Sequence, residues 1–344
     1  MRKQSIITDP AVFSEDFIPS YIHEREFQIK WLMAALFPAI RGRKPVNVWI
    51  HGKPGSGKTC VSKFVLQKLT ERWGKIGTAY VNCWQHNTLY SALDHILSEF
   101  RLLGGEAPST SVKLRRFFNF VKDRPFILIL DEIDAPPPKE RNDLLYNLSR
   151  TGNIGIVCIS RRDETYFQLD ERVRSRLSAR LLEFEAYSPE QVMTILRERA
   201  NQALKYKTYD DEVLSIIAEL AQGDIRVGLE TLKTAAEYAE FEDDKISLKH
   251  IHKGAKDLRR SQRENVLARL TSHHKIIYNI IEQKPSILSG ELWSNYMDVC
   301  NNTNERPIGR RTFSAYLERL ENLRLVSTTK PSISGKVRSF KVDQ

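Results

Sequence analysis

The sequence predicts an α/β fold: a doubly wound parallel sheet with flanking helices, then a small all-helical domain, then a C-terminal winged helix-turn-helix. Three observations carry this. An apolar strand runs into a glycine-rich loop and a helix near residues 46–69, and strand and helix patterns alternate through the first half before giving way to helices alone. The last segment reads helix, helix, helix, strand, turn, strand. The expected domains are 1–185, 186–260 and 261–344, which suits 344 residues of ordinary apolar content.

Taken in order, the first strand (Val46, Val48, Trp49, Ile50) ends in Gly-Lys-Pro-Gly-Ser-Gly-Lys-Thr at residues 52–59, and Val61 to Leu69 follow as a helix. This is a P-loop in its context of strand, loop and helix. Gly52, Gly55 and Gly57 let the backbone turn tightly and bring amides against phosphate oxygens at the positive end of a helix. Lys58 reaches the β and γ phosphates, Thr59 offers a hydroxyl to magnesium, and Pro54 stiffens the loop. Ser56 and Cys60 complete the residues expected against the nucleotide. The predicted ligands are ATP or ADP with Mg2+. A chance glycine-rich turn is the bland alternative, against which five positions and both flanks agree.

The run Phe126 to Leu130 is continuously apolar, as a strand buried on both faces must be, and it ends in Asp131, Glu132 and Asp134. Ligands of open α/β sheets bind at that carboxyl edge. Asp131 is expected to hold the magnesium, and Glu132 to polarise a water for attack on the γ phosphate. The other strands fall near 46–51, 78–83, 154–160 and 180–184. Pro136 to Pro138 read as a rigid loop, and the charges from Lys139 to Asp143 as a solvated helix start.

Beyond residue 188 the strands stop. Ser188-Pro189-Glu190-Gln191 is a capping box that opens the helix Val192 to Leu204. A second helix runs from about Asp211 to Gln222 and stops at Gly223, a third begins after Asp224, and a fourth after Ser247. In the last domain, helices near Ser272 to Gln283, Ser289 to Asn301 and Gly309 to Leu323 precede strands Leu325 to Thr329 and Val337 to Val342. Phe313, Leu317, Leu320 and Leu323 repeat at helical spacing and are expected to pack inward. Arg310, Arg311 and Ser314 then project where a recognition helix meets DNA, and Lys330, Ser332, Ser334, Lys336 and Arg338 surround the wing tip. A winged helix that binds protein is the alternative.

No apolar run approaches the roughly 18 residues of a membrane span, and Met1-Arg2-Lys3 lack the apolar core of a signal peptide. The expectation is a cytoplasmic protein with no membrane partner. Cys60, Cys83, Cys158 and Cys300 show no CxxC spacing and read as buried thiols rather than zinc ligands or disulfides. The net charge of +10 points to a polyanionic partner, nucleic acid first.

The P-loop, Asp131-Glu132 and a helical domain containing Gly223-Asp224-Ile225-Arg226 resemble an AAA+ ATPase, in which Arg226 matches the small-domain arginine that touches the nucleotide phosphates. More narrowly, the chain resembles the archaeal replication initiators related to the eukaryotic origin-recognition and replication-licensing proteins. The matching pieces are Ile18-Pro19 with His23, Arg25 and Glu26, Val81-Asn82-Cys83, Asp131 to Asp134, Leu169 to Ser175 and Gly223 to Arg226. The resemblance implies that Ile18 and His23 help form the adenine pocket. It also implies that Arg172 or Arg176 is presented to a neighbouring subunit's nucleotide; a solvated or DNA-facing basic face explains Arg172, Arg174 and Arg176 equally. A helical insertion carrying Arg115 and Arg116 would be a second DNA contact by the same resemblance, and an amphipathic helix covering the sheet is the alternative.

One departure stands out: Ile159-Ser160-Arg161 occupies the place where the family shows Ile-Ser-Asn, and the absent asparagine normally positions water and the γ phosphate. The resemblance implies slow turnover and tight retention of ADP. The function expected is an ATP/ADP-regulated initiator that binds duplex origin DNA and helps recruit the replicative helicase, with other initiator subunits as partners and a nucleoid-associated location. A helicase- or clamp-loader-like motor, a regulatory ATPase whose winged helix binds protein, and a small-molecule P-loop kinase are the alternatives, in descending order.

Overall fold

Every side chain of the strand Phe126–Asp131 is buried, which a strand achieves only at the centre of a sheet covered on both faces. The structure, a computed structural model, describes residues 5–74, 76–103, 108–150, 153–242, 245–268, 270–303, 305–323, 325–329 and 338–342. Two compact units divide the chain, Met1–Gly254 and Ala255–Gln344.

In the first unit five strands, β1 (Val48–Gly52), β2 (Gly77–Asn82), β3 (Phe126–Asp131), β4 (Ile154–Ile159) and β5 (Arg180–Phe184), pair in the order β2-β3-β4-β1-β5, every pair parallel. Alternate side chains divide the sheet's two faces between two cores. Trp49, Leu128, Leu130, Ile156 and Cys158 pack on one side, and Val48, Ile50, Ile127, Ile129, Val157 and Ile159 on the other. The first face is covered by α3 (Leu89–Glu99), α4 (Thr110–Val121) and α5 (Pro138–Leu148), and the second by α1 (Glu26–Leu36) and α2 (Lys58–Trp73). Short helices α6 (Glu164–Phe167) and α7 (Glu171–Leu177) lead into β5. This edge strand turns Arg180 and Glu183 to solvent and buries Leu182 and Phe184, a pattern that discourages edge-to-edge pairing.

Helices alone follow: α8 (Pro189–Ala203), α9 (Asp211–Ala221), α10 (Ile225–Glu242) and α11 (Leu248–Ala268), within which the boundary between the units falls. The capping box is formed as expected, Gln191 N donating to Ser188 Oγ (3.3 Å) and Ser188 N to Gln191 Oε1 (3.0 Å). The α9 helix ends on the left-handed pair Gln222 and Gly223. The start of the chain packs with these helices rather than with the sheet: Ile6, Val12 and Phe13 join their core, and Ile7 bridges to Leu204.

The second unit holds α12 (Ser272–Glu282), β6 (Ile287–Leu288), α13 (Ser289–Thr303), α14 (Arg310–Asn322), β7 (Val326–Thr329) and β8 (Ser339–Val342). Its strands pair antiparallel in the order β6-β8-β7, and its core joins Ile277, Ile281, Leu292, Tyr296, Phe313, Leu317, Leu320 and Phe340. Three helices against a small antiparallel sheet make the winged helix-turn-helix. Among the described residues no helix is long and apolar enough to cross a membrane.

Three expectations need correction. Leu323 does not complete the inward stripe; it follows the last turn of α14 and is 40% exposed, because the chain leaves helical geometry there. Arg141 is no solvated charge: it is buried, and its guanidinium donates to the Pro136 carbonyl (3.1 Å), closing the loop before α5. Cys83, Cys158 and Cys300 are buried thiols, whereas Cys60 is only half-buried.

Candidate active site

The loop after β1 leaves the sheet between β4 and β5, at the carboxyl edge where the β3 acids also emerge. Two glycines are required by their surroundings. Gly52 has φ +148, and a Cβ there would lie 2.1 Å from the Phe184 carbonyl oxygen; Gly55 has φ +69, and its Cβ would lie 1.8 Å from Asp224 Oδ1. The loop is also clamped from outside. Arg25, 4% exposed, donates from Nε to the Ser56 carbonyl (3.0 Å), from Nη1 to Glu24 (3.0 Å) and from Nη2 to Glu185 (2.6 Å), with its guanidinium 3.7 Å from the Tyr187 ring centroid. The loop is therefore held in place by the chain itself.

Around it lies a cavity of about 360 Å3. At one end Lys58 Nζ donates to the carbonyls of Gly52 (2.6 Å) and Lys53 (2.8 Å), while burial pushes its pKa down to about 8 against the pull of Asp131. Thr59 Oγ1 and Tyr80 OH both donate to Asp131 Oδ2, at 2.7 and 2.8 Å. Glu132 lines the same end with φ +52, and burial together with the Asp131 charge raises its carboxyl above the ordinary value, toward the range in which a general base works. Arg226, in the first turn of α10, lines the cavity and pairs with Asp224 at 3.1 Å. Arg161 also lines it, 3.9 Å from Asp134 Oδ2, so the residue that departs from the family pattern faces the cavity.

The other end is built by Phe17, Pro19, Tyr21, Ile22, His23, Tyr187, Ile195 and Arg199. His23 Nε2 stands 3.3 Å from Glu198 Oε2. This end is apolar with a few polar groups, the composition of a pocket for a planar organic moiety.

The structure brings Pro54, Gly55, Ser56, Gly57, Lys58, Thr59, Cys60, Asp131, Glu132, His23 and Arg226 to this one cavity. Two expected residues stand apart from its lining. Ile18 turns to the core beside Val48 and Ile50, because Phe17 and Pro19 on either side of it face the cavity. Gly52 contributes a carbonyl to Lys58 rather than a surface to the ligand. Arg172 is exposed on α7, outside the cavity, while Arg174 donates to the Phe167 carbonyl (3.0 Å) and Arg176 lies over Tyr146 (5.0 Å). Sequence reasoning missed Phe17, Tyr187 and Arg199, and Arg25 as the clamp on the loop. Nothing local marks them, since each acts across a long stretch of chain.

Among the described residues no cluster of three or more His, Cys, Asp or Glu side chains could hold a metal by itself. Thr59 and Asp131 supply hydroxyl and carboxylate oxygens, the donors suited to a hard divalent cation that completes its shell with phosphate oxygens and water.

In the second unit Arg310 and Arg311 are exposed on the first turn of α14. Arg310 lies 5.3 Å from the Trp293 ring centroid. Ser314 Oγ donates to the Arg310 carbonyl (3.0 Å), which engages the hydroxyl within the helix. Arg338 is exposed just before β8; Lys330, Ser332, Ser334 and Lys336 lie outside the described residues. On α4, Arg115 is exposed, but Arg116 donates to the Leu102 and Leu103 carbonyls and Phe117 and Val121 pack into the core. The helix thus covers the sheet, and Arg116 is engaged in holding the preceding loop.

Residues 43–166 match an AAA domain, and residues 193–256 match the Cdc6 AAA+ ATPase-type lid domain. The chain is 30% identical over 352 residues to the ORC1-type DNA replication protein 1 of Sulfurisphaera tokodaii, covering 95% of this chain and 87% of that protein. It belongs to the ORC1-type DNA replication protein family. The ORC1-type protein 1 of Methanothermobacter thermautotrophicus is 30% identical over 364 residues, covering 99% of this chain and 94% of its own length. A solved structure of the Aeropyrum pernix ORC1 protein in complex with DNA superposes with a TM-score of 0.84 at 27% identity, covering 99% of this chain and 94% of that one. This ORC1-type chain is an AAA+ ATPase.

Proposed function

We propose that the chain is an ATP/ADP-regulated replication initiator that binds duplex origin DNA through its winged helix and helps recruit the replicative helicase. The observation that carries this reading is α14, whose inner stripe is packed while Arg310 and Arg311 stand exposed on its first turn. The Aeropyrum ORC1 relative, similar over nearly the whole chain, was solved in complex with DNA, which supports the same use here. Arg338 would hold a phosphate, with Lys330 and Lys336 as further candidates from the sequence, and Arg115 would be a weaker second grip from the ATPase domain.

In the nucleotide site, Lys58 and Arg226 bind and orient the phosphates, and Glu132 accepts the proton of the attacking water. A magnesium ion would be held by Thr59 and Asp131, and would supply charge neutralisation at the β and γ phosphates. Arg172, exposed on α7, is available to a neighbouring initiator subunit's nucleotide. Slow turnover, as the resemblance to the family implies, makes the bound nucleotide a switch. The place of action is the nucleoid in the cytoplasm.

Fluorescence anisotropy on labelled duplexes tiling the protein's own replicon, at two salt concentrations, tests this. A few fragments should bind selectively. Arg310→Ala/Arg311→Ala should lose at least about 30-fold in affinity there, since each base-contacting arginine contributes roughly 1–3 kcal/mol. Absence of binding above the nonspecific level would move the winged helix to a protein partner.

A further inference from the structure

Arg199 on α8 lines the nucleotide cavity and is 6% exposed. Its guanidinium carbon lies 4.5 Å from the Phe17 ring centroid, and its Nε and Nη1 have no acceptor among the described residues. The neighbouring carboxylate on the same helix, Glu198, is engaged by His23. Burial lowers the pKa of Arg199, yet a guanidinium stays charged, so a cation is kept out of water with donors unused. Such a group is costly unless something outside the chain completes it.

Its position says what that something is. The charges that act on Lys58 are Asp131, Arg226, Asp134 and Arg161, which mark the phosphate end. Those that act on Arg199 are Cys60, Glu198 and Tyr187, and the surfaces beside it are Phe17, Ile195 and Tyr187. Arg199 therefore sits at the apolar end, where a planar base belongs. It offers only donors, which suits the acceptor nitrogens of a purine ring.

We propose that Arg199 reads the purine base of the bound nucleotide, donating to a ring nitrogen, N3 or N7, that only the ligand brings into the cavity. This rests on the cavity being the ATP/ADP site. A turn of the terminal torsions carries the fork from the Phe17 face to the base edge while the stem stays packed. The alternative is a purely structural role, in which the stack on Phe17 fastens the N-terminal segment to α8.

Calorimetric titration of the nucleotide-stripped full chain with ADP, 7-deaza-ADP, 3-deaza-ADP and pyrophosphate separates these. The unaltered protein should bind one of the two deaza analogues about 10-fold or more weaker than ADP, as loss of a hydrogen bond to a charged group implies. Arg199→Met should weaken ADP by a similar factor, leave that same analogue almost unaffected and leave pyrophosphate unchanged, while Arg199→Lys recovers part of the loss. Equal binding of ADP and both analogues by the unaltered protein overturns the proposal, as does a variant that loses ADP and pyrophosphate alike. If Arg199→Met does not fold, the analogue series on the unaltered chain decides alone. Failure of the unaltered protein to bind either ADP or pyrophosphate would instead remove the nucleotide reading beneath it.

Discussion

The cavity of the first unit and the exposed turn of α14 in the second both present cations, but they hold them differently. Lys58 is buried on two carbonyls of the loop that Arg25 clamps, whereas Arg226 is exposed on α10 and paired with Asp224. Arg310 and Arg311 stand in solvent, with the Trp293 ring near Arg310. A fixed charge out of water acts at close range and is little screened, whereas an exposed one is weakened by salt. The first arrangement suits a ligand held for long periods, and the second a long polyanion met and released many times.

The largest expected effect is at the buried end. Lys58→Ala should lower ATP hydrolysis by at least about 100-fold, the scale for removing one preorganised charge from a reaction site, with little change in the salt slope of DNA binding. A steady-state ATPase assay beside the anisotropy titration checks both halves. A Lys58→Ala protein that hydrolyses normally would break the contrast outright.

A smaller effect follows from the Lys58 pKa of about 8, depressed by burial from an ordinary value of 10.5. In the ligand-free protein the ammonium is protonated below about pH 8 and neutral above it, and bound phosphate restores the proton. Nucleotide affinity should therefore be flat below pH 8 and fall as pH rises through it, by roughly 10-fold at pH 9. Calorimetry in buffers of different ionisation enthalpy should register proton uptake on binding at pH 9 and little at pH 7. The ligand-free fold responds in the opposite sense: between pH 8 and 10.5 the unfolded chain holds more protons at this position, so stability from Lys58 alone rises with pH.

The smallest effect separates two adjacent arginines on α4. Arg116→Ala should cost about 1–2 kcal/mol in chemical denaturation, because the Leu102 and Leu103 carbonyls lose their donor, while Arg115→Ala should stay within about 0.5 kcal/mol. Equal destabilisation by both would mean that exposure does not sort structural from surface arginines on this helix.

What could be read in advance follows from how local each requirement is. The phosphate loop needs glycine where a Cβ would strike Phe184 or Asp224, and the apolar run before Asp131 needs burial on both faces, so both are written in consecutive residues. The Arg25 clamp is not, because its partners Ser56 and Glu185 lie 31 and 160 residues away. Arg199 reads as one more arginine on an amphipathic helix until Phe17 is folded against it. The strand Ile287–Leu288 is too short to leave a pattern, and Arg141 looks like a surface charge until the loop it closes is in place.

The carbonyl of Gly55 accepts from the Ile225 N–H at 3.3 Å, so the first residue of α10 is fastened directly to the loop that cradles phosphate. That single bond makes the helical lid a gauge of the loop's conformation. Whatever free energy this contact passes from a ligand on the loop to the lid, a partner that tilts the lid passes back to the loop in equal amount.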